Sequence, residues 1–183
     1  DLEVDRGRDN LVVRAFAELA DPDPFEFRIS SQIPMSGGLG SSAAAIVAGV
    51  LAADHLFELD ADVLALATRI EGHPDNIAAA LLGGVTVCAD GRADRLPMPD
   101  DLEAVLVVPH AAVRTADARA ALPAEVPMGD AVANVAHAAL LVAGLTTRNH
   151  DLLARGLRDA LHQDRRAHLF PQSHALLVRA TEF

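Results

Sequence analysis

The run Ile33-Pro34-Met35-Ser36-Gly37-Gly38-Leu39-Gly40-Ser41-Ser42-Ala43-Ala44 places glycines and paired serine hydroxyls directly ahead of an Ala-rich apolar stretch. Glycines let the backbone come close to an anion, and the free N–H groups at the start of a helix offer a positive dipole end suited to phosphate. The two serines add hydroxyls for phosphate or for a hard divalent cation. A plain Gly-rich turn with serine caps reads the same way, so the loop by itself leaves both readings open. All fifteen basic residues are arginine, so phosphate binding here must work without the lysine of a Walker A motif.

Two further groups carry chemistry. Glu71-Gly72-His73-Pro74-Asp75-Asn76 ends a helical pattern and opens another, ahead of Leu81-Leu82-Gly83-Gly84. Asp75 and Asn76 suit a helix cap as well as a site, and His73 suits an ordinary loop before proline. Farther along stand Val113-Arg114-Thr115-Ala116-Asp117-Ala118-Arg119 and Arg165-Arg166-Ala167-His168-Leu169-Phe170-Pro171. Solvated surface charge is the ordinary reading of these arginines.

The elements that must position these residues follow from periodicity. Apolar spacing predicts a helix over residues 10–20, ended by Asp21-Pro22, and alternation predicts a strand over 25–29. Helices are expected over 41–59, over 62–70 with Asp60 as cap, and over 75–82, with a strand over 85–89. The Pro- and charge-rich residues 91–101 read as a seam. Beyond it come a buried-type strand over 102–108 and a short helix over 115–122. Three more helices are expected over 130–145, 151–161 and 172–183, the first two as a hairpin. The mixture implies α+β, with lobes at 1–95 and 100–183.

The bulk composition narrows the class. With 51% apolar and 22% charged residues the chain is expected to fold. A net charge of -11 and no aromatic residues interleaved with the basic ones argue against a nucleic-acid partner. One cysteine, Cys88, and no signal-like segment at residue 1 point to a reducing cytoplasm. The apolar stretch 41–53 is broken by Asp54 and too short to cross a bilayer, so no membrane span is expected. The opening at Asp1 in mid-pattern and the stop on an apolar helical pattern at Phe183 read as truncation at both ends.

The loop wording, Pro-x-x-x-Gly-Leu-Gly-Ser-Ser-Ala-Ala, resembles the second signature of the GHMP kinases, and Glu-Gly-His-Pro-Asp-Asn is similar to the homoserine kinases among them. The resemblance implies a two-lobe fold, ribosomal-protein-S5-like then ferredoxin-like. It implies ATP and Mg²⁺, and L-homoserine as the small-molecule substrate whose side-chain hydroxyl is phosphorylated. Asn10 and Leu11 would line the adenine pocket, and Pro34, Gly37, Gly38, Leu39, Gly40, Ser41 and Ser42 would wrap the phosphates, with Ser42 as the metal ligand. His73, Asp75, Asn76, Arg119 and Arg166 would bind substrate, and Asn76 and Thr115 would lie at the reacting hydroxyl. An amide cannot accept that hydroxyl's proton, so Asn76 would hold and polarise it, with catalysis resting on positioning and charge.

The match has gaps. The first and third family signatures are missing, and the metal-binding glutamate eleven residues before the asparagine is Ala65 here. Asp62, one helical turn away, is the candidate replacement, and reads equally as an ordinary acidic residue in the first turn of a helix. A different small alcohol as substrate, an inactive nucleotide-binding fragment, and a homodimer all stay open.

Overall fold

The computed structural model describes residues 5–35, 38–108, 113 and 115–180 of the 183-residue chain, which divides into two compact units, Asp1–Leu96 and Pro97–Phe183.

In the first unit a 3-10 turn, Gly7–Asp9, leads into α1 (Leu11–Ala17). The Asn10 side chain accepts from the Val12 N–H and caps it. Then come α2 (Ser41–Phe57), α3 (Val63–Glu71) and α4 (Asp75–Leu82), followed by an antiparallel hairpin of β1 (Val85–Ala89) and β2 (Arg92–Leu96), in register Val85↔Leu96 to Ala89↔Arg92. The core sits where α2 meets its neighbours: Ala15, Ala43, Ile46, Val47, Val50, Ala67 and Ile77 are buried together. Small residues let α1 and α2 approach closely. A Cβ on Gly49 would stand 2.2 Å from the Val12 carbonyl oxygen, so no side chain fits at that crossing.

In the second unit α5 (Thr115–Ala120), α6 (Met128–Thr147), α7 (His150–Gly156) and α8 (Pro171–Ala180) follow in order. The expected hairpin forms between α6 and α7. Arg148 adopts a left-handed conformation after α6, and Asn149 caps α7 by accepting from the Leu152 N–H. At 20 residues and mean hydropathy 1.4, α6 is long and apolar enough to cross a membrane by length and composition, a helix that attention to residues 41–53 overlooked. It also carries a polar stripe, with Asp130 pairing Arg165 and Asn134 accepting from the Ala160 N–H.

The α+β reading holds, with corrections in detail. Residues 25–29 are not a strand. Their alternation serves packing instead: the Phe25 and Phe27 rings both meet Phe16, at 5.5 and 5.1 Å between centroids, and no described strand lies alongside to complete a ladder. Residues 102–108 likewise form no ladder, and Val105 is 85% exposed. The strand β2 was missed. Asp90 and Gly91, both at positive φ, make the tight turn of a two-residue hairpin. The cap of α3 is Asp62, not Asp60, since Asp60 is used at positive φ to turn the chain while Asp62 accepts from the Ala65 N–H. Helix α7 stops at Gly156, short of residue 161.

Candidate functional site

The first unit gathers most of the expected phosphate-binding residues. Gly38 and Gly40 both hold positive φ, 73° and 72°, and Gly40 is the N-cap of α2. It brings no capping side chain, and among the described residues no side chain caps the first N–H groups of the helix, which suits an outside acceptor. Asn10 and Leu11 line one cleft, of about 1660 Å³, with Ser41 and Ser42. Pro34 and Gly38 are exposed and Leu39 is half-buried. Gly37 lies outside the described residues.

The second constellation comes to the same helix end. The Ser42 Oγ donates to Glu71 Oε1 at 2.7 Å, joining the first turn of α2 to the last residue of α3. His73, 17% exposed, has Nδ1 2.5 Å from Asp75 Oδ1, and its Nε2 lies 3.9 Å from Glu71 Oε1. Asp75 Oδ1 also accepts from the Asn76 N–H at 2.9 Å, at the start of α4. Asn76 is held against the glycine-rich loop: a Cβ on Gly40 would sit 3.8 Å from Asn76 Cβ and Cγ. Behind this corner the Cys88 thiol of β1 donates to the Pro74 carbonyl at 3.7 Å. Burial, then the negative charge of Asp75, pushes the thiol pKa up.

The meeting of Glu71 with Ser42 is a pairing that the sequence did not announce. Asp62, the candidate replacement for Ala65, caps α3 through one carboxylate oxygen that accepts from the Ala65 N–H. Packing of α3 on α2 instead brings Glu71 to Ser42. The signal available was the glutamate of the Glu-Gly-His-Pro-Asp-Asn run itself. Among the described residues no group of three His, Cys, Asp or Glu side chains could hold a metal alone.

The second unit holds the arginines. Arg119 is exposed on α5, and the Arg166 Nε donates to the carbonyl of its neighbour Ala118 at 2.7 Å. Arg165 turns the other way and donates to Asp130 on α6 at 3.0 Å. Thr115 opens α5, and its side chain lies outside the described residues.

Comparison with known proteins shows what the chain is similar to. Residues 10–84 match the GHMP kinases N terminal domain. The chain is 38% identical over 189 residues to the homoserine kinase of Carboxydothermus hydrogenoformans, covering 97% of this chain and 62% of that protein. It is 46% identical over 169 residues to that of Streptomyces avermitilis, covering 86% and 55%. The crystal structure of homoserine kinase from Cytophaga hutchinsonii superposes with a TM-score of 0.79 at 28% identity, over 92% of this chain and 59% of that one. The chain thus spans less than two thirds of the length of each of these relatives. Residues 10–84 thus resemble a GHMP kinase N-terminal domain, and the chain as a whole resembles the central portion of a homoserine kinase.

Proposed function

We propose that this chain supplies the central part of an ATP-dependent kinase that phosphorylates the side-chain hydroxyl of L-homoserine, a step of threonine biosynthesis carried out in the cytoplasm. The observation that carries the reading is the meeting of the α2 N-terminus, Ser42, Glu71 and Asn76 at one corner of the first unit. The N–H groups after Gly40 hold the ATP phosphates, and the cleft beside Asn10 and Leu11 takes the adenine. Ser42 and Glu71, a hydroxyl and a carboxylate, are hard oxygen donors suited to Mg²⁺ together with phosphate and water. Bound there, Mg²⁺ would neutralise charge on the phosphates.

The lobe boundaries fit this scheme, with an ATP-binding lobe over residues 1–95 and a second lobe over 100–183. In the second lobe, Arg119 and Arg166 take the substrate carboxylate, a role supported by the bond from Arg166 to the carbonyl beside Arg119. His73, half-enclosed between two carboxylates, orients the substrate, and Asn76 holds its hydroxyl. The amide is no base, so the rate enhancement rests on alignment and on fixed positive charge around the transferring group. The reading calls for neither nucleic acid nor membrane. The test gives the purified full-length protein ATP with homoserine, mevalonate or galactose in parallel. Transfer to homoserine alone is expected, and transfer to another of these alcohols, or to none, overturns it.

A further inference from the structure

Between α7 and α8 the chain is organised around one carboxylate. Asp159, 16% exposed, accepts through Oδ1 from the Leu161 N–H at 3.1 Å and from His162 Nδ1 at 3.0 Å. Its Oδ2 accepts from the His162 and Gln163 N–H groups at 2.6 and 2.7 Å. Burial alone would raise its pKa. The hydrogen bonds from Gln163, the His162 ring, and the Leu161 and His162 backbone outweigh burial and hold the carboxyl well below the usual carboxylate range.

This turn has a specific load. The carbonyl of His162, the residue that Asp159 grips by both backbone and ring, accepts from the Arg166 N–H at 2.9 Å. Asn134 fastens the same turn to α6 by accepting from the Ala160 N–H at 2.7 Å, and Arg165 adds its ion pair to Asp130. Arg166 then faces α5, where its Nε donates to the Ala118 carbonyl. A guanidinium carries five N–H donors, so one bond to the backbone fixes its direction and leaves its Nη groups for a carboxylate.

We propose that Asp159 is a positioning residue for substrate binding, holding the turn so that Arg166 presents its guanidinium beside Arg119. The inference rests on the carboxylate role given to Arg166 above. It separates Asp159 from a plain turn former, because a structural role alone would not act through one arginine.

The experiment is a double-mutant cycle on the full-length protein, with the KM for homoserine and the KM for ATP measured separately for wild type, Asp159→Asn, Arg166→Ala and the double variant. Asp159→Asn is expected to raise the homoserine KM about tenfold or more, the scale of a binding group misplaced by a fraction of an ångström, with the ATP KM unchanged. In the Arg166→Ala background the same change should add nothing. Equal increases in both backgrounds, an unchanged homoserine KM, or a parallel rise in the ATP KM overturn the inference. If Arg166→Ala by itself leaves the homoserine KM unchanged, the failure lies in the carboxylate role of Arg166, and this inference falls with it. Should Asp159→Asn not fold, His162→Gln, which keeps the backbone bonds of the turn, goes through the same cycle with the same criteria.

Discussion

The Ser42 hydroxyl and the Glu71 carboxylate, far apart in sequence, share a 2.7 Å hydrogen bond at the point where α2 begins and α3 ends. A carboxylate and a serine hydroxyl are hard oxygen donors, and the two together could help hold a divalent cation. Asp62 belongs to the other end of α3 and spends a carboxylate oxygen on the cap.

The two acidic residues should therefore behave differently. Glu71→Gln in the full-length protein is expected to weaken Mg²⁺ dependence, shifting the half-saturating Mg²⁺ concentration upward about tenfold or more, since a neutral amide replaces a charged ligand. Asp62→Asn should leave that titration unchanged, because asparagine caps a helix about as well as aspartate. A Mg²⁺ titration of turnover, backed by Mn²⁺ binding followed by electron paramagnetic resonance, checks both. A shift with Asp62→Asn and none with Glu71→Gln would return the metal role to Asp62.

Gly49 tests the packing that sets the direction of α2. A methyl group there would stand 2.2 Å from the Val12 carbonyl oxygen and 2.8 Å from Ala15 Cβ, backbone and a stiff neighbour with no room to yield. Gly49→Ala gains helix propensity of about 1 kcal/mol but must push α1 away. The expected net loss is on the order of 1–3 kcal/mol in a urea melt of the full-length protein. A variant as stable as wild type would show that the two helices do not cross so closely.

Cys88 reports on the charge at the start of α4. Its thiol is disfavoured as thiolate by burial and then by Asp75, so alkylation by iodoacetamide at pH 8 should run slower than for an unhindered cysteine. Removing the negative charge with Asp75→Asn should speed it. Mass spectrometry of a time course reads the rate, and a Cys88 that reacts as fast as free cysteine contradicts the assignment.

How much of this was legible follows from where the signals lie. The helices α2 and α4 could be read closely because glycines punctuate them: Gly40 opens α2 at positive φ, and Gly83 closes α4. Alternation at Phe25 and Phe27 was real, yet it reports which side chains face Phe16, and a strand also needs a partner for its backbone. The strand β2, Arg92–Leu96, reads as polar loop, and only the Asp90-Gly91 pair announced a hairpin. Candidate-site residues tied to a contiguous motif, such as Ser42 and Asn76, were visible. The Glu71–Ser42 bond was not legible because it depends on how α3 packs on α2, and Asp159 was not because its hydrogen bonds belong to a turn with no periodicity.

Asp159 also makes a prediction about acid stability. Its native pKa is held below the unfolded value of about 3.9, so its contribution is fully present above that value and is lost as pH falls through the lower native pKa. Asp159→Asn should be less stable than wild type by a constant amount from pH 7 down to about pH 5, and the difference should shrink below about pH 4. Urea melts across that range measure it. A difference that grows on acidification has the wrong sign for a carboxylate stabilised in its ionised form.

The last prediction concerns the hydroxyl that receives the phosphoryl group. Two neighbours compete for the place beside it. Asp75 can accept a proton in principle, but its Oδ1 already takes the His73 ring at 2.5 Å and the Asn76 N–H at 2.9 Å, which turns that carboxylate toward the start of its own helix. Asn76 packs against Gly40, the N-cap of α2, which in the proposed function is where the substrate hydroxyl approaches the nucleotide. An amide has no pKa in the working range, so on this reading the transfer proceeds without a side-chain base, and the α2 N-terminus would meet charge on the transferring group, to which Mg²⁺ would add when bound. Asn76→Ala should therefore lower kcat by about 10²-fold or more, the typical cost of one preorganised contact, with the KM for ATP little changed. Asp75→Asn should act more weakly and through His73, raising the KM for homoserine more than it lowers kcat. The pH dependence sharpens the test, for a transfer without a base should show no acidic limb in kcat that disappears in Asp75→Asn. If Asp75→Asn abolishes turnover while Asn76→Ala retains it, Asp75 is the proton acceptor and Asn76 only a helix residue beside it.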